Sequence, residues 1–440
     1  MNRAAAKFNG ARAKSSLHIC HRPKFSANIA HFCRIFQSSL HMKILKDSAV
    51  YLLGELFAKA LPFLLLPYLT RKLGAAGFGE LSYYQTVLSL LALAFGLSQD
   101  GAITRYFYFY GKRNLPNVLR TGGLYALALT LLGLLFAWWR QSWIVGFVVL
   151  TAGSQTLLGA QLAWRQCQKR ALPYVAIQIS SSALSAVLTV LLLECTAYQP
   201  VAMRFAALCS VNFAVAAAAY CWANQKQPAH FTRRRALHSL RYILAFGLPL
   251  LLHHASGFVK GQLDRIIIYR MYSAAELGVY AAALQLAGIL SIILMAVNKA
   301  TVPYYYHAIE QKKLTARRVR RWAWLGFCAA PLFAAAVWCI PESWFVWFLG
   351  AQYIGAHHYI VLFTLGYALT IPYYLLINYL FYFGKNSLIS SISLLSAAIY
   401  LLILFAVAPL GMAWLPWAMV AGNLAILPIL YYFVRPNAAD

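Results

Sequence analysis

Twelve runs of about twenty apolar residues leave this chain few ways to fold. They lie near 48–69, 80–98, 115–138, 143–163, 173–194, 200–222, 242–263, 277–297, 322–341, 359–382, 387–408 and 411–433. A bilayer core about 30 Å thick is crossed by roughly 20 helical residues. In lipid every backbone N–H and C=O must be satisfied within the protein, and helices meet that demand segment by segment. Only 11% of the 440 residues are charged, against about 25% in a soluble domain. The mean hydropathy is +0.63. The expectation is an all-α polytopic membrane protein with about twelve transmembrane helices.

The net charge of +28 raises nucleic acid as a partner. The position of the bases argues against it. Few lie after the odd-numbered segments: Arg71, Lys72, Arg140, Arg265 and Arg270. The loops after even-numbered segments carry the rest, including Lys112, Arg113, Lys169, Arg170, Arg233, Arg234, Arg235 and the run from Lys312 to Arg321. This alternation is the positive-inside pattern, and it places both termini in the cytoplasm. Trp138, Trp139, Trp143, Trp344, Trp347, Trp414 and Trp417 flank the outer turns, as an interfacial belt does. The expected contacts are therefore membrane lipids and no nucleic acid. Cys167, Cys195, Cys209, Cys221, Cys328 and Cys339 form no CxxC pair, so neither a disulfide framework nor a zinc site is indicated.

Residues 1–41 differ from the remainder, with no acid, many bases and no long apolar run. They lack the apolar core of a secretory signal, but they have the Arg- and Ser-rich make-up of a mitochondrial transit peptide. Met42-Lys43-Ile44-Leu45-Lys46 also reads as a start of its own. The stretch is set aside from the fold and expected to be disordered. The rest divides into a six-helix lobe at 42–222, a basic cytoplasmic linker at 223–241 and a second six-helix lobe at 242–435. The polar stretch 298–321 reads as a second basic cytoplasmic loop. A displacement of 199 residues brings Arg71, Ala75, Ala76 and Gly79 onto Arg270, Ala274, Ala275 and Gly278. The fifth segment of each half is serine-rich. Two lobes of like orientation form a parallel repeat about an axis along the membrane normal, an architecture of transporters.

The charges inside apolar segments are the candidate site. Intramembrane ionisable residues are costly and face the bundle interior or a wet cavity. In segment seven His253, Gly257, Lys260 and Asp264 share one helical face, with Arg265 beside them. In segment one Glu55 and Lys59 stand i,i+4, as do Lys260 and Asp264. Such pairs either neutralise one another or line a charged cavity. Lys59 and Lys260 are expected to face each other across the lobes. Asp100 and Arg105 close segment two, where structural and functional roles stay equally open. Arg120 is placed to snorkel to the headgroups. No GxxxxGK[ST] phosphate loop, DxD motif or metal-ligand spacing occurs, so no catalytic residue, metal or cofactor is expected.

These stretches resemble the polysaccharide-unit flippases, the Wzx-type, O-antigen branch of the MATE-like (MOP) exporter superfamily. The resemblance rests on LTRKLGAAGFGELSYYQTVLSLL (Leu69–Leu91), on Gly96-Leu97 followed by Gly101-Ala102-Ile103-Thr104-Arg105-Tyr106, on FGLPLLL…LDRIIIYR (Phe246–Arg270), and on Ala408-Pro409-Leu410-Gly411-Met412-Ala413. It covers Met42 to Arg435. Gly411-Met412-Ala413, with Trp414 beyond, departs from the commoner Gly-x-x-Gly. The resemblance implies a transporter and not an enzyme, located in a bacterial inner membrane. It implies lipid-linked oligosaccharide on a polyprenyl pyrophosphate carrier as cargo, for lipopolysaccharide or another surface glycan. Polysaccharide assembly proteins would be partners, and proton or sodium coupling is open. The cavity candidates are Lys59, Lys260, Arg265, Glu55, Asp264 and Arg105. The rival readings are a cation-coupled multidrug or metabolite exporter of the same superfamily and a membrane-embedded oligosaccharide polymerase or ligase. The short outer loops disfavour the last.

Overall fold

The computed structural model describes residues 23–112, 114–196, 198–223 and 231–435, the side chains of 23–49, 52, 223, 252 and 386 excepted. Of the N-terminal extension expected at 1–41, residues 1–22 therefore lie outside the described residues, as do 224–230 of the linker. The chain forms two compact units, Met1–Tyr51 and Leu52–Asp440. The helical bundle is the second.

Among the described residues the chain is helical and holds no strand. The helices are α1 (Pro23–Gly96), α2 (Gln99–Phe109), α3 (Leu115–Trp139), α4 (Trp143–Cys167), α5 (Ala171–Cys195), α6 (Pro200–Ala223) and α7 (Arg233–Met271). They continue with α8 (Ala274–Glu310), α9 (Ala316–Trp338), α10 (Glu342–Leu349), α11 (Ala356–Ala368), α12 (Thr370–Tyr382), α13 (Asn386–Val407) and α14 (Pro416–Phe433). Nine of the described helices are long and apolar enough to cross a membrane, or up to eleven if each of two bent pairs is one span. The pairs are Arg233–Leu251 with His253–Met271, and Ala316–Trp338 with Glu342–Leu349. Leu131 and Leu135 of α3 lie outward, 54% and 62% exposed, as lipid-facing residues must.

Several boundaries differ from the hydropathy reading. Segments one and two form one element, α1, broken where Gly74 takes φ 67 and ψ 178. Segment two is followed by an extra helix, α2, after Leu97 and Ser98 take positive φ. The linker expected at 223–241 gives way to α7 at Arg233. The polar stretch 298–321 is not all loop, because α8 runs on to Glu310. Hydropathy locates where a helix stops being apolar, and helices here continue past that point as polar rods.

One core joins both halves, with Leu66, Phe205, Ile268, Tyr280, Tyr353 and Phe363 among its members. Smaller cores serve each half alone: one from Leu158, Ile177, Val211 and Val215, another from Val319, Leu376, Leu380 and Leu430. The repeated Arg71–Gly79 and Arg270–Gly278 stretches meet in the joint core. A Cβ on Gly79 would lie 1.8 Å from the Ala274 carbonyl oxygen, and one on Gly278 would lie 1.8 Å from that of Ala75. Each glycine thus receives a carbonyl of the other copy, an approach that any side chain would block. Nearby, the Arg71 guanidinium donates to the Trp347 carbonyl, and Ala75 N–H donates to Gln352 Oε1 at 2.9 Å. Tyr353 O–H donates to the Gly74 carbonyl at 3.2 Å. These contacts form a clasp between the halves.

Candidate functional site

Behind the clasp lies a cavity of about 620 Å³, walled by both halves. α1 contributes Lys59, Phe78, Ser82, Gln85 and Thr86; α4 contributes Gln155 and α6 Arg204. From the other half come Gln262 and Arg265 of α7, Gln285 and Ser291 of α8, and Tyr367 of α11. The described lining holds three cations and four glutamine side chains but no carboxylate. A wet, cationic chamber of this kind replaces water around an anion with fixed donors.

Each cation is held differently. Lys59 is paired with Glu55 at 3.0 Å, one turn back along α1, as the i,i+4 spacing predicts. Glu55 also meets Lys299 of α8 at 2.9 Å, so one carboxylate bridges two ammonium groups and ties the halves together. The sequence reading treated Lys299 as a loop base; it lies on α8 because that helix is longer than its apolar run. Arg265 donates from Nη1 to the Gly261 carbonyl at 2.7 Å and lies 3.7 Å from Asp264 Oδ1. Arg204 donates to the Ser185 carbonyl at 3.3 Å and to Thr189 Oγ1. Sequence reasoning passed over Arg204, although an arginine inside the apolar run 200–222 was the signal to find it. Gln285 Nε2 adds a further tie, donating to the Pro62 carbonyl at 3.1 Å.

Asp264 does not line this cavity and does not pair with Lys260. It is 5% exposed. Its Oδ2 accepts from Tyr280 O–H at 2.6 Å, and its Oδ1 accepts from the Arg265 N–H at 2.9 Å. These charge-assisted bonds join α7 to α8 and fix the backbone that carries Arg265. Lys260 lies elsewhere as well and does not face Lys59. Its ammonium donates to Ser396 Oγ at 2.6 Å and to Asn423 Oδ1 at 3.4 Å. It lines a separate cavity of about 270 Å³ within the second half. The α7 stripe fans out because a helix face spans about 100°, wide enough to serve two chambers. Arg105 also leaves the group. It stands beside Asp100 in an open pocket at the end of α2, its guanidinium 5.7 Å from the ring centres of Phe109 and Phe246.

Residues 44–307 match the family model described as "Polysaccharide biosynthesis protein". The chain belongs to this family. This is a Wzx-like flippase family, so the resemblance to polysaccharide-unit flippases holds, and the protein is a multi-pass membrane transporter and not an enzyme. Among curated proteins, "Lsg locus putative protein 1" of Haemophilus influenzae is 46% identical over 392 residues, covering 89% of this chain and 98% of the relative. Among solved structures, an inward-facing multidrug resistance MATE family transporter of the MOP superfamily aligns with a TM-score of 0.63 at 13% identity, covering 88% of this chain and 94% of the other. A MOP superfamily transporter from Pyrococcus furiosus, described as having a binding pocket of reverse polarity, aligns with a TM-score of 0.58 at 13% identity, covering 89% of this chain and 95% of the other. At such identities the structural likeness carries the fold.

Proposed function

We propose that the protein is a flippase for oligosaccharide units linked to polyprenyl pyrophosphate, working in a bacterial inner membrane by alternating access. The observation that carries this reading is the convergence of Lys59, Arg204 and Arg265 on one chamber whose described lining has no carboxylate. A pyrophosphate is a compact polyanion. It pays heavily to enter hydrocarbon alone, whereas a prenyl tail stays in lipid. The glutamines suit sugar hydroxyls, which both donate and accept. Dividing the first long span at Gly74 brings the helix count to twelve. With both termini cytoplasmic, as the loop bases favour, the glycine clasp closes the outer end and the chamber loads from the cytoplasm.

Arg204→Gln tests this reading. Losing a charge-assisted hydrogen bond removes about 1.5–3 kcal/mol, or roughly 10- to 150-fold in affinity. At equal membrane abundance, lipid-linked intermediates should accumulate and surface polysaccharide should fall by about that range. Arg204→Lys should retain part of the function, because charge survives while the planar fork is lost. Wild-type polysaccharide in the glutamine variant would reject the pyrophosphate reading.

A further inference from the structure

The Lys260 cavity holds a charge that the protein does not balance. Among the described residues no Asp or Glu lies within ion-pair distance of Lys260, and Asp264 is engaged by Tyr280. Its two partners, Ser396 and Asn423, are neutral. A partly buried ammonium with neutral partners alone is costly, and an anion beside it would offset that cost. The third ammonium proton has no described acceptor.

The rest of the lining defines that anion. His253 and His254 stand together at the mouth, their ring centres 5.7 Å apart, and Ser393 adds a hydroxyl. These groups all donate to an oxyanion. Most of the remaining lining is aliphatic, Ile377, Ile389, Ile392, Ile426 and Leu430, with Tyr373 among them. Beside the donors, a Cβ on Gly257 would meet nothing within 4 Å, so the α7 wall is smooth and open there. Donors set among branched aliphatics do not suit a free sugar or a hydrated inorganic ion. They suit an oxyanion carried on an apolar chain. A volume of about 270 Å³ takes a phosphate and the beginning of one chain, but not the glycerol and paired chains of a bilayer lipid.

We infer that the Lys260 cavity is a binding site for a single-chain lipid phosphate, separate from the central chamber. The two cavities have no lining residue in common, so this site stands or falls independently of the transport reading.

The test is a count of bound dodecyl phosphate by native mass spectrometry, on the full chain in neutral phosphatidylcholine nanodiscs. Lys260→Met should remove one bound dodecyl phosphate, whether or not the central chamber takes another. Lys260→Arg should keep it, with affinity within a few-fold of wild type. Ser393→Ala, a milder change that preserves the cation, should weaken it about threefold. Dodecanol and inorganic phosphate should each bind at least tenfold more weakly. Unchanged stoichiometry and affinity in both Lys260→Met and Ser393→Ala would overturn the assignment. So would dodecanol binding as tightly as dodecyl phosphate, inorganic phosphate doing the same, or displacement at equal concentration by phosphatidylglycerol, which would mark a bilayer headgroup site.

Discussion

Between its two copies of the Arg-to-Gly stretch, the chain changes how the turn is held while keeping what the turn achieves. The first copy has Gly74 at φ 67, a left-handed conformation that glycine adopts without a steric penalty. The position 199 residues later is Ser273, which builds a capping box: Glu276 N–H donates to Ser273 Oγ at 3.1 Å, and Ser273 N–H donates to Glu276 Oε2 at 3.0 Å. Both solutions deliver a glycine, Gly79 or Gly278, onto a carbonyl of the other half. A second comparison runs deeper in the lobes. Ser182, Ser185 and Asn212 recur 211 residues later as Ser393, Ser396 and Asn423. In the first half Asn212 accepts from Ser181 at 2.9 Å, a neutral bond between helices. In the second half Lys260 comes between the serine and the asparagine. The two clusters match in residue type and differ in how a positive charge meets them.

The largest effect should come from breaking the reciprocity of the clasp. Gly278→Val or Gly79→Val drives a side chain into a carbonyl oxygen that belongs to backbone and cannot swing away. Such overpacking costs about 3 kcal/mol or more. Either variant should abolish surface polysaccharide while leaving a cysteine placed at Ser82 reachable by an impermeant thiol reagent from the outside. Full protection of that cysteine together with normal polysaccharide would show that the clasp is not the seal.

The paired asparagines sharpen the second comparison. Asn423→Ala removes an acceptor from a cation and a donor to the Gly366 carbonyl at 3.0 Å. Hydrogen bonds to charged groups contribute about 1.5–3 kcal/mol and neutral ones about 0.5–1.5. Thermal unfolding of the purified protein should therefore show Asn423→Ala as the more destabilised and Asn212→Ala as the milder. Equal shifts would mean that Lys260 draws nothing from its station.

The smallest effect belongs to Glu55 and Lys299, which are 31% and 47% exposed at the side chain. Exposed pairs of this kind contribute about 0.2–1 kcal/mol and weaken with salt. Lys299→Met should lower stability by less than about 1 kcal/mol, with most of the difference lost in molar salt. A larger, salt-insensitive loss would make the bridge a structural pillar between the halves.

The membrane class and the helical segments were legible because each rests on local pattern: apolar run length and the distribution of bases. Lys59 and Arg265 were legible as cavity residues because a charge in an apolar run must find polar company. Their separation from Lys260 was not, because three residues on one broad face can point into two chambers. Asp264 read as a partner for Lys260 on spacing alone. Its true partner, Tyr280, lies on the next helix, and no i,i+4 rule reaches across a turn. Arg204 was visible as an arginine within an apolar run, but its distance from the other charges in sequence hid its convergence with them. Arg105 sits at a helix end in the sequence and does so in the fold, in an open pocket apart from the central chamber with aromatic rings beside its guanidinium.

The clasp has a consequence for how motion at that end is divided. Where side chains seal a closure, rotamers can yield one at a time and the opening is graded. Here glycine meets peptide oxygen at the centre of the contact, so no rotamer change there can give way, and Arg71, Gln352 and Tyr353 brace it from the flank. Packed backbones of this kind are either seated or apart, and the half-open positions between them lose contact without gaining water. Such a seal behaves as a latch with two positions, and whatever force releases it must move both helices as whole bodies.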